Sequence, residues 1–228
     1  MIEPFDAIAD AYDQWYDAPE GRAIFQAEVA CLRLASSGFR GRWLEIGVGT
    51  GRFASALGVP EGVDPSGRML AKAARRGIRV YRAAAEHLPF SDGLFDGALV
   101  ALTFCFVQDA AAALRECARV LASEGVLLVG TIPADGPWGR ADRRKAQQGH
   151  PLYSLARFRT VPQFVALAQC AGFERGASAS TMLWEPDSGR IGAWRVEPGI
   201  CHDAAFSAIL FAKAGVARAE LKARKNHP

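Results

Sequence analysis

Residues 42–53 read RWLEIGVGTGRF: an apolar run carries an acid, Glu45, and glycines follow at alternate positions, Gly47, Gly49 and Gly51. Glycine lets the backbone turn tightly and approach a ligand with no Cβ in the way. A loop of this kind between a strand and a helix belongs to α/β sheets, which hold ligands beyond the carboxyl ends of their strands. The spacing narrows the ligand. A dinucleotide fingerprint G-x-G-x-x-G needs a third glycine at position 52, where Arg52 stands. No Gly-Lys-Ser/Thr follows, so the loop is not a P-loop either. What remains is E-x-G-x-G-x-G with a second acid, Asp64 in GVDPS, 19 residues after Glu45. An acid at the end of the next strand can accept both hydroxyls of a ribose. The pattern therefore points to a nucleoside with no required pyrophosphate.

Strand and helix character alternates along the rest of the chain. Helices are expected over residues 21–36, 50–57, 66–76, 109–121 (with Asp109 as N-cap) and 161–171. Strands are expected over 42–46, 61–64, 78–83, 95–101, 125–131, 173–183 and 204–213. Such alternation argues for a parallel sheet covered by helices on both faces. The last two strands lack a helix between them and should pair antiparallel at one edge. Half the residues are apolar and 22% are charged, enough for a sizeable core, and a net charge of +3 is too small to argue for nucleic acid. No run of about 18 apolar residues is present, so no membrane span is expected. The acidic start MIEPFDAIADAYDQWYD does not read as a signal peptide. Five scattered cysteines without C-x-x-C read as reduced thiols of a cytoplasmic protein, and no metal site is expected.

At this point the chain resembles the class I S-adenosylmethionine-dependent methyltransferases, in the small-molecule branch that includes the ubiquinone/menaquinone-biosynthesis C-methyltransferases. The segments that carry the resemblance are FDAIADAYDQWYD, WLEIGVGTGRF, GVDPSGRML, AAAEHLPFSDGLFDGAL, ALRECARVLASEGVLLVG and ARFRTVPQFVALAQCAGF. The resemblance implies a Rossmann-like three-layer sandwich, with a mostly parallel seven-stranded sheet and an antiparallel edge strand. It implies S-adenosylmethionine as cofactor and S-adenosylhomocysteine as product. In its terms Gly47, Gly49 and Gly51 close over the methionine part of the cofactor and Glu45 faces its ammonium. Asp64 holds the ribose diol, Pro65 and Met69 border the adenine, and Ala85 and Glu86 reach the adenine edge. Leu102 to Phe104 line the methyl-donor end. Tyr12 sits in an N-terminal lid helix. Related sequences often read G-D-A-E where this chain reads Ala83-Ala84-Ala85-Glu86, so one acidic contact to the adenine amino group is missing.

The same resemblance divides residues 1–228 as one methyltransferase domain: a lid (5–40), a cofactor-binding half (41–134), a cap insertion (135–160), a C-terminal half (161–213) and a tail (214–228). The insertion holds six Arg or Lys against two Asp, which reads either as a solvated helical face or as attraction for an anionic acceptor. Trp15, Tyr16, His150 and Tyr153 are candidates for the acceptor pocket. His87, Cys105 and the Cys201-His202 pair read as structural. Methyl transfer requires alignment more than side-chain chemistry, so no catalytic residue is named. Three functions stay open: a methyltransferase acting on a small molecule, as a monomer or homodimer; one acting on RNA or protein; and a module that binds the cofactor without turnover.

Overall fold

The computed structural model describes residues 4–36, 38–189 and 191–214. Its frame is an eight-stranded sheet. The strands are β1 (Trp43–Ile46), β2 (Glu61–Asp64), β3 (Arg79–Arg82), β4 (Phe95–Ala101), β5 (Leu121–Thr131), β6 (Phe173–Met182), β7 (Arg195–Pro198) and β8 (Phe206–Lys213). Their order is β3-β2-β1-β4-β5-β8-β6-β7. The first five are parallel to one another, and β8 runs antiparallel to both β5 and β6. The order reverses between β1 and β4, which places the switch-point crevice at the end of β1. Seven strands are expected from the sequence and eight are present: Arg195–Pro198 pairs antiparallel with β6 at the edge. This strand is short, polar and half exposed, so it carries no apolar period to read. The expected antiparallel pair, β6 and β8, therefore lies inside the edge.

Among the described residues seven α-helices flank the sheet: α1 (Pro4–Asp17), α2 (Pro19–Ala35), α3 (Arg52–Leu57), α4 (Gly67–Arg75), α5 (Ala110–Val120), α6 (Pro137–Gln147) and α7 (Val161–Cys170). Strand alternation divides the core in two. Leu44, Ile46, Ala98, Val100, Leu127, Val129, Ile209 and Phe211 face α5 and α7, where Leu114, Cys117, Phe164 and Ala168 meet them. Trp43, Leu99, Leu128, Phe206 and Ala208 face the other way, toward Cys31, Leu32, Phe53, Leu57 and Leu70 of α2, α3 and α4. Polar caps end the helices where the sequence places them. Asp109 accepts from the N–H groups of Ala111 and Ala112, and Ser66 accepts from Met69. Thr160 and Gln163 form a reciprocal capping box at α7. The expected tail beyond residue 214 lies outside the described residues.

Candidate cofactor and acceptor site

The glycine loop leaves the end of β1 with φ of +74° at Gly47, +51° at Gly49 and +82° at Gly51. Gly47 has a second reason to lack a side chain, because a Cβ there would lie 2.2 Å from Thr103 Cγ2. Gly49 is the opposite case: no atom stands within 4 Å of where its Cβ would be, so its free face opens toward the crevice. The loop is pinned from below. The N–H groups of Gly47 and Val48 both donate to the Val63 carbonyl, at 2.8 and 3.0 Å. Asp64 holds it from the side: Oδ2 accepts from the Gly49 N–H at 3.0 Å and Oδ1 from the Ser66 N–H at 2.9 Å. The carboxylate thus stitches the loop to the β2–α4 turn.

Glu45 lies at 1% exposure on the α2 side of the sheet, and its Oε2 has no hydrogen-bond partner. Burial raises its pKa well above the usual carboxylate range; the Asp64 charge adds to this and the Ala54 N–H opposes it. A buried acceptor without a donor is costly and calls for a cationic partner. The ammonium of S-adenosylmethionine supplies one, so the residues present fit this cofactor.

The other expected residues sort by position. Met69 is buried at the start of α4, and Pro65, half-buried, precedes the Ser66 cap. Ala85 is buried. The Glu86 Oε1 receives the N–H groups of Gln108 and Asp109 at 2.9 and 3.1 Å, tying its loop to the start of α5. Leu102 has a left-handed backbone, φ +57°, directly after β4. The Phe104 ring turns into the core, 4.8 Å from Phe164. Tyr12 is half-buried on α1, 5.0 Å edge-on to Tyr16. Burial holds its hydroxyl protonated, and the charges of Glu28, Glu45 and Asp64 all act on it in the same direction. Trp15, a pocket candidate by sequence, is instead exposed, whereas Tyr16 beside it is buried. His150 is exposed and stacks on Tyr153 at 4.6 Å.

The structure adds residues that the sequence did not single out. Four acids at turn spacing, Asp6, Asp10, Asp13 and Asp17, line one face of α1. Asp13 accepts from Arg52 Nε at 2.8 Å and Arg76 Nη2 at 3.0 Å; Asp17 takes Arg52 Nη2 at 2.7 Å. Asp10 pairs with Arg68 and Lys72, at 2.9 and 2.7 Å, and Asp6 accepts from the Ser66 hydroxyl and the Arg68 N–H. The Arg52 guanidinium also lies 5.4 Å over the Tyr16 ring. Arg52, which excluded a dinucleotide, thus clasps α1 to the end of the glycine loop. Replacing Asp13 by Asn should speed hydrogen exchange across residues 4–17. It should also weaken S-adenosylhomocysteine binding about fivefold, the size of roughly 1 kcal/mol of pairing. Unchanged exchange in α1 would show that the clasp does not hold the helix.

The 135–160 segment crosses the carboxyl end of the sheet. Its return leg is tied to the segment after β4, with the Arg157 N–H on the Cys105 carbonyl at 2.7 Å. Its cations are largely engaged. Arg140 donates to the Asp135 carbonyl, Arg157 to the Gln108 carbonyl and Arg159 to the Phe104 carbonyl, while Lys145 pairs with Asp187 at 3.0 Å. Arg143 and Arg144 face solvent. What the segment turns inward is an acid, Asp142, at 4% exposure.

A three-layer α/β sheet with a glycine loop at its switch point and carboxylates at the ends of β1 and β2 defines a nucleoside-binding fold of the Rossmann type. Residues 44–129 match the family described as "Methyltransferase domain". A crystal structure described as a SAM-dependent methyltransferase, possible histamine N-methyltransferase, from Thermotoga maritima is 34% identical, covers 92% of this chain and 98% of its own, and superposes with a TM-score of 0.84. An uncharacterized protein of Mycobacterium tuberculosis is 43% identical over 201 residues, 88% of this chain and 70% of that protein. One of Methanocaldococcus jannaschii is 34% identical over 183 residues, 80% of this chain and 87% of that one. This chain belongs to the S-adenosylmethionine-dependent methyltransferases, and S-adenosylmethionine is its cofactor. Among the described residues no helix is long and apolar enough to cross a membrane.

Proposed function

We propose that this enzyme methylates a small molecule bound beneath α1 and the 135–160 segment. The observation that carries the reading is that both coverings meet the segment after β4: the Phe5 ring of α1 lies 5.0 Å from Phe106, and the Arg157 N–H of the insertion donates to the Cys105 carbonyl at 2.7 Å. A roof built from both sides suits an acceptor that fits inside and disfavours a polymer laid across an open groove. The Thermotoga protein's description names a small amine as acceptor, which agrees in size. In this reading residues 1–228 work as one domain, α1 as lid and 135–160 as cap, in a cytoplasmic monomer or homodimer with no nucleic-acid partner.

The cofactor supplies a methyl group on a positively charged sulfur. The chain's part is to hold it and keep water out. Glu45 would face its ammonium, Asp64 its ribose diol, and the free side of Gly49 its closest approach. Holding two reactants in line can supply roughly 7–11 kcal/mol of barrier reduction.

S-adenosylhomocysteine at about 100 times its Kd should stabilise the protein by roughly 2.7 kcal/mol in a melting experiment, and NAD should leave it unchanged. With methyl-labelled cofactor and a cell extract, the label should enter small molecules. Label confined to protein or RNA would overturn the reading.

A further inference from the structure

Beyond the ends of β4 and β5, five segments bring buried and half-buried polar groups toward one region. Glu28 comes from α2, Tyr12 and Tyr16 from α1, Asp142 from α6, Tyr153 from the short 3₁₀ turn Tyr153–Leu155, and Cys105 from the segment after β4. Glu28 is 3% exposed, and its Oε2 has no hydrogen-bond partner. Its position along α2 is set by Leu32, one turn later, whose Cδ2 packs 3.2 Å from the Cβ position of Gly130 near the end of β5. Glu28 therefore stands one turn beyond, over the carboxyl end of the sheet. The charges of Glu28, Glu45 and Asp64 all act on the Tyr12 hydroxyl. On the far side the Tyr153 hydroxyl is directed at the Asp142 carboxylate, with Tyr12 and Cys105 also acting on it. Among the described residues the cation paired with Asp142 is Lys145, whose Nζ is 3.9 Å away and is bound more closely by Asp187.

Two buried carboxylates and three phenol rings form a chamber of acceptors and π-faces. Anions are repelled there. A neutral alcohol brings Glu28 no cation, so the buried carboxyl stays in its neutral form. A protonated amine satisfies the carboxylates and lies against ring faces, which attract cations. We propose that this chamber is the acceptor site, that it takes a primary or secondary amine as the ammonium ion, and that Glu28 Oε2 receives a proton from the bound nitrogen. In that step one N–H bond breaks, an O–H bond forms on Glu28, and the electron pair stays on nitrogen. The nitrogen is then neutral; the part of Asp142, with Tyr153, is to attract the ammonium ion before that transfer.

The state of Glu28 gives the site a measurable signature. Burial raises its pKa from the usual value to about 8. The groups facing it are the phenols of Tyr12 and Tyr16 and the thiol of Cys31, all protonated at neutral pH. At pH 7 the empty site therefore holds Glu28 as the neutral acid, and an arriving ammonium ion ionises it and expels a proton to solvent.

The inference rests on the function proposed above, so cofactor binding is measured first. If S-adenosylhomocysteine does not bind, that function falls and this site with it. With the protein saturated by S-adenosylhomocysteine, butylamine, cyclohexylmethylamine and 2-phenylethylamine are titrated calorimetrically beside the alcohols and carboxylates of the same skeletons. The amines should bind at least tenfold tighter than either isostere. Titration in two buffers of different ionisation enthalpy should show close to one proton released per amine at pH 7. In Glu28→Gln the proton release should vanish and the amine Kd rise at least tenfold, with the S-adenosylhomocysteine Kd unchanged. Asp142→Asn should weaken the amine and retain the proton release. Failure of every amine to bind, equal binding of an alcohol or carboxylate, or full proton release in Glu28→Gln overturns the proposal.

Discussion

Asp64→Asn should lower the affinity for S-adenosylhomocysteine by roughly 10- to 100-fold, and Asp64→Ala by more. The carboxylate has two duties here. Its oxygens accept the Gly49 and Ser66 N–H groups at 3.0 and 2.9 Å, which fixes the loop. In the function proposed above it also accepts the ribose hydroxyls of the cofactor. Charge-assisted hydrogen bonds contribute about 1.5–3 kcal/mol each. The amide of Asn keeps one acceptor but points an NH₂ at a backbone donor, so it disturbs the loop as well as the ribose contact. Ala leaves both backbone N–H groups unpaired. The melting temperature without ligand should fall in both variants, more in Asp64→Ala, because the stitch between loop and turn is lost. Calorimetry against wild type reads the affinity. An unchanged Kd in both variants would remove Asp64 from the ribose contact and leave it only the loop.

The cofactor end of this molecule was readable because local rules dictate it. Positive φ at Gly47, Gly49 and Gly51 is the conformation that their residue type favours, and the strand before them is buried on both faces. Ser66, Asp109 and Thr160 announce their helix starts by side-chain chemistry that acts within three residues. The roof was less readable because its determinants are pairings across distance. The acids of α1 recur at turn spacing, yet their partners Arg52, Arg68, Lys72 and Arg76 are spread over two other helices. The insertion looked basic in sequence, and only the fold shows three of its arginines turned to main-chain carbonyls while Asp142 turns inward. Glu28 left a signal that went unread. It sits within the buried stripe Ile24, Ala27, Cys31, Leu32 and Ala35 of α2, where a charged residue conflicts with the apolar face. Conflicts between local pattern and residue type are expected at functional sites. The strand Arg195–Pro198 left no such signal, being defined by its neighbour β6 alone.

Glu28→Gln should remove a large pH dependence of folding stability. In the folded protein the Glu28 carboxyl titrates near pH 8, raised by burial from the ordinary 4.5. Between these values the native state binds the proton more tightly than the unfolded chain. Stability from this group is therefore greatest below about pH 4.5, falls as pH rises, and levels off above about pH 8, where both states are ionised. The slope approaches about 1.4 kcal/mol per pH unit within the window. Other groups bend the wild-type curve. Asp142, raised by burial to about 6, gives the same sign over a lower range, and Asp6, lowered by its bond from the Ser66 hydroxyl, acts in the opposite sense at acid pH. Subtraction removes them: urea unfolding of wild type and Glu28→Gln at intervals from pH 5 to pH 9 isolates the Glu28 contribution. Gln is nearly isosteric with the neutral acid, so the two proteins should match at pH 5 and diverge steadily, with the variant the more stable at pH 9. Parallel curves would mean that the Glu28 carboxyl finds water or a cation in the folded state, and the buried acid would lose its standing as a group kept at a cost in stability. Addition of a bound amine at saturating S-adenosylhomocysteine should flatten the wild-type curve from the alkaline side, because the ammonium then compensates the ionised carboxylate, and should leave the variant's curve where it was.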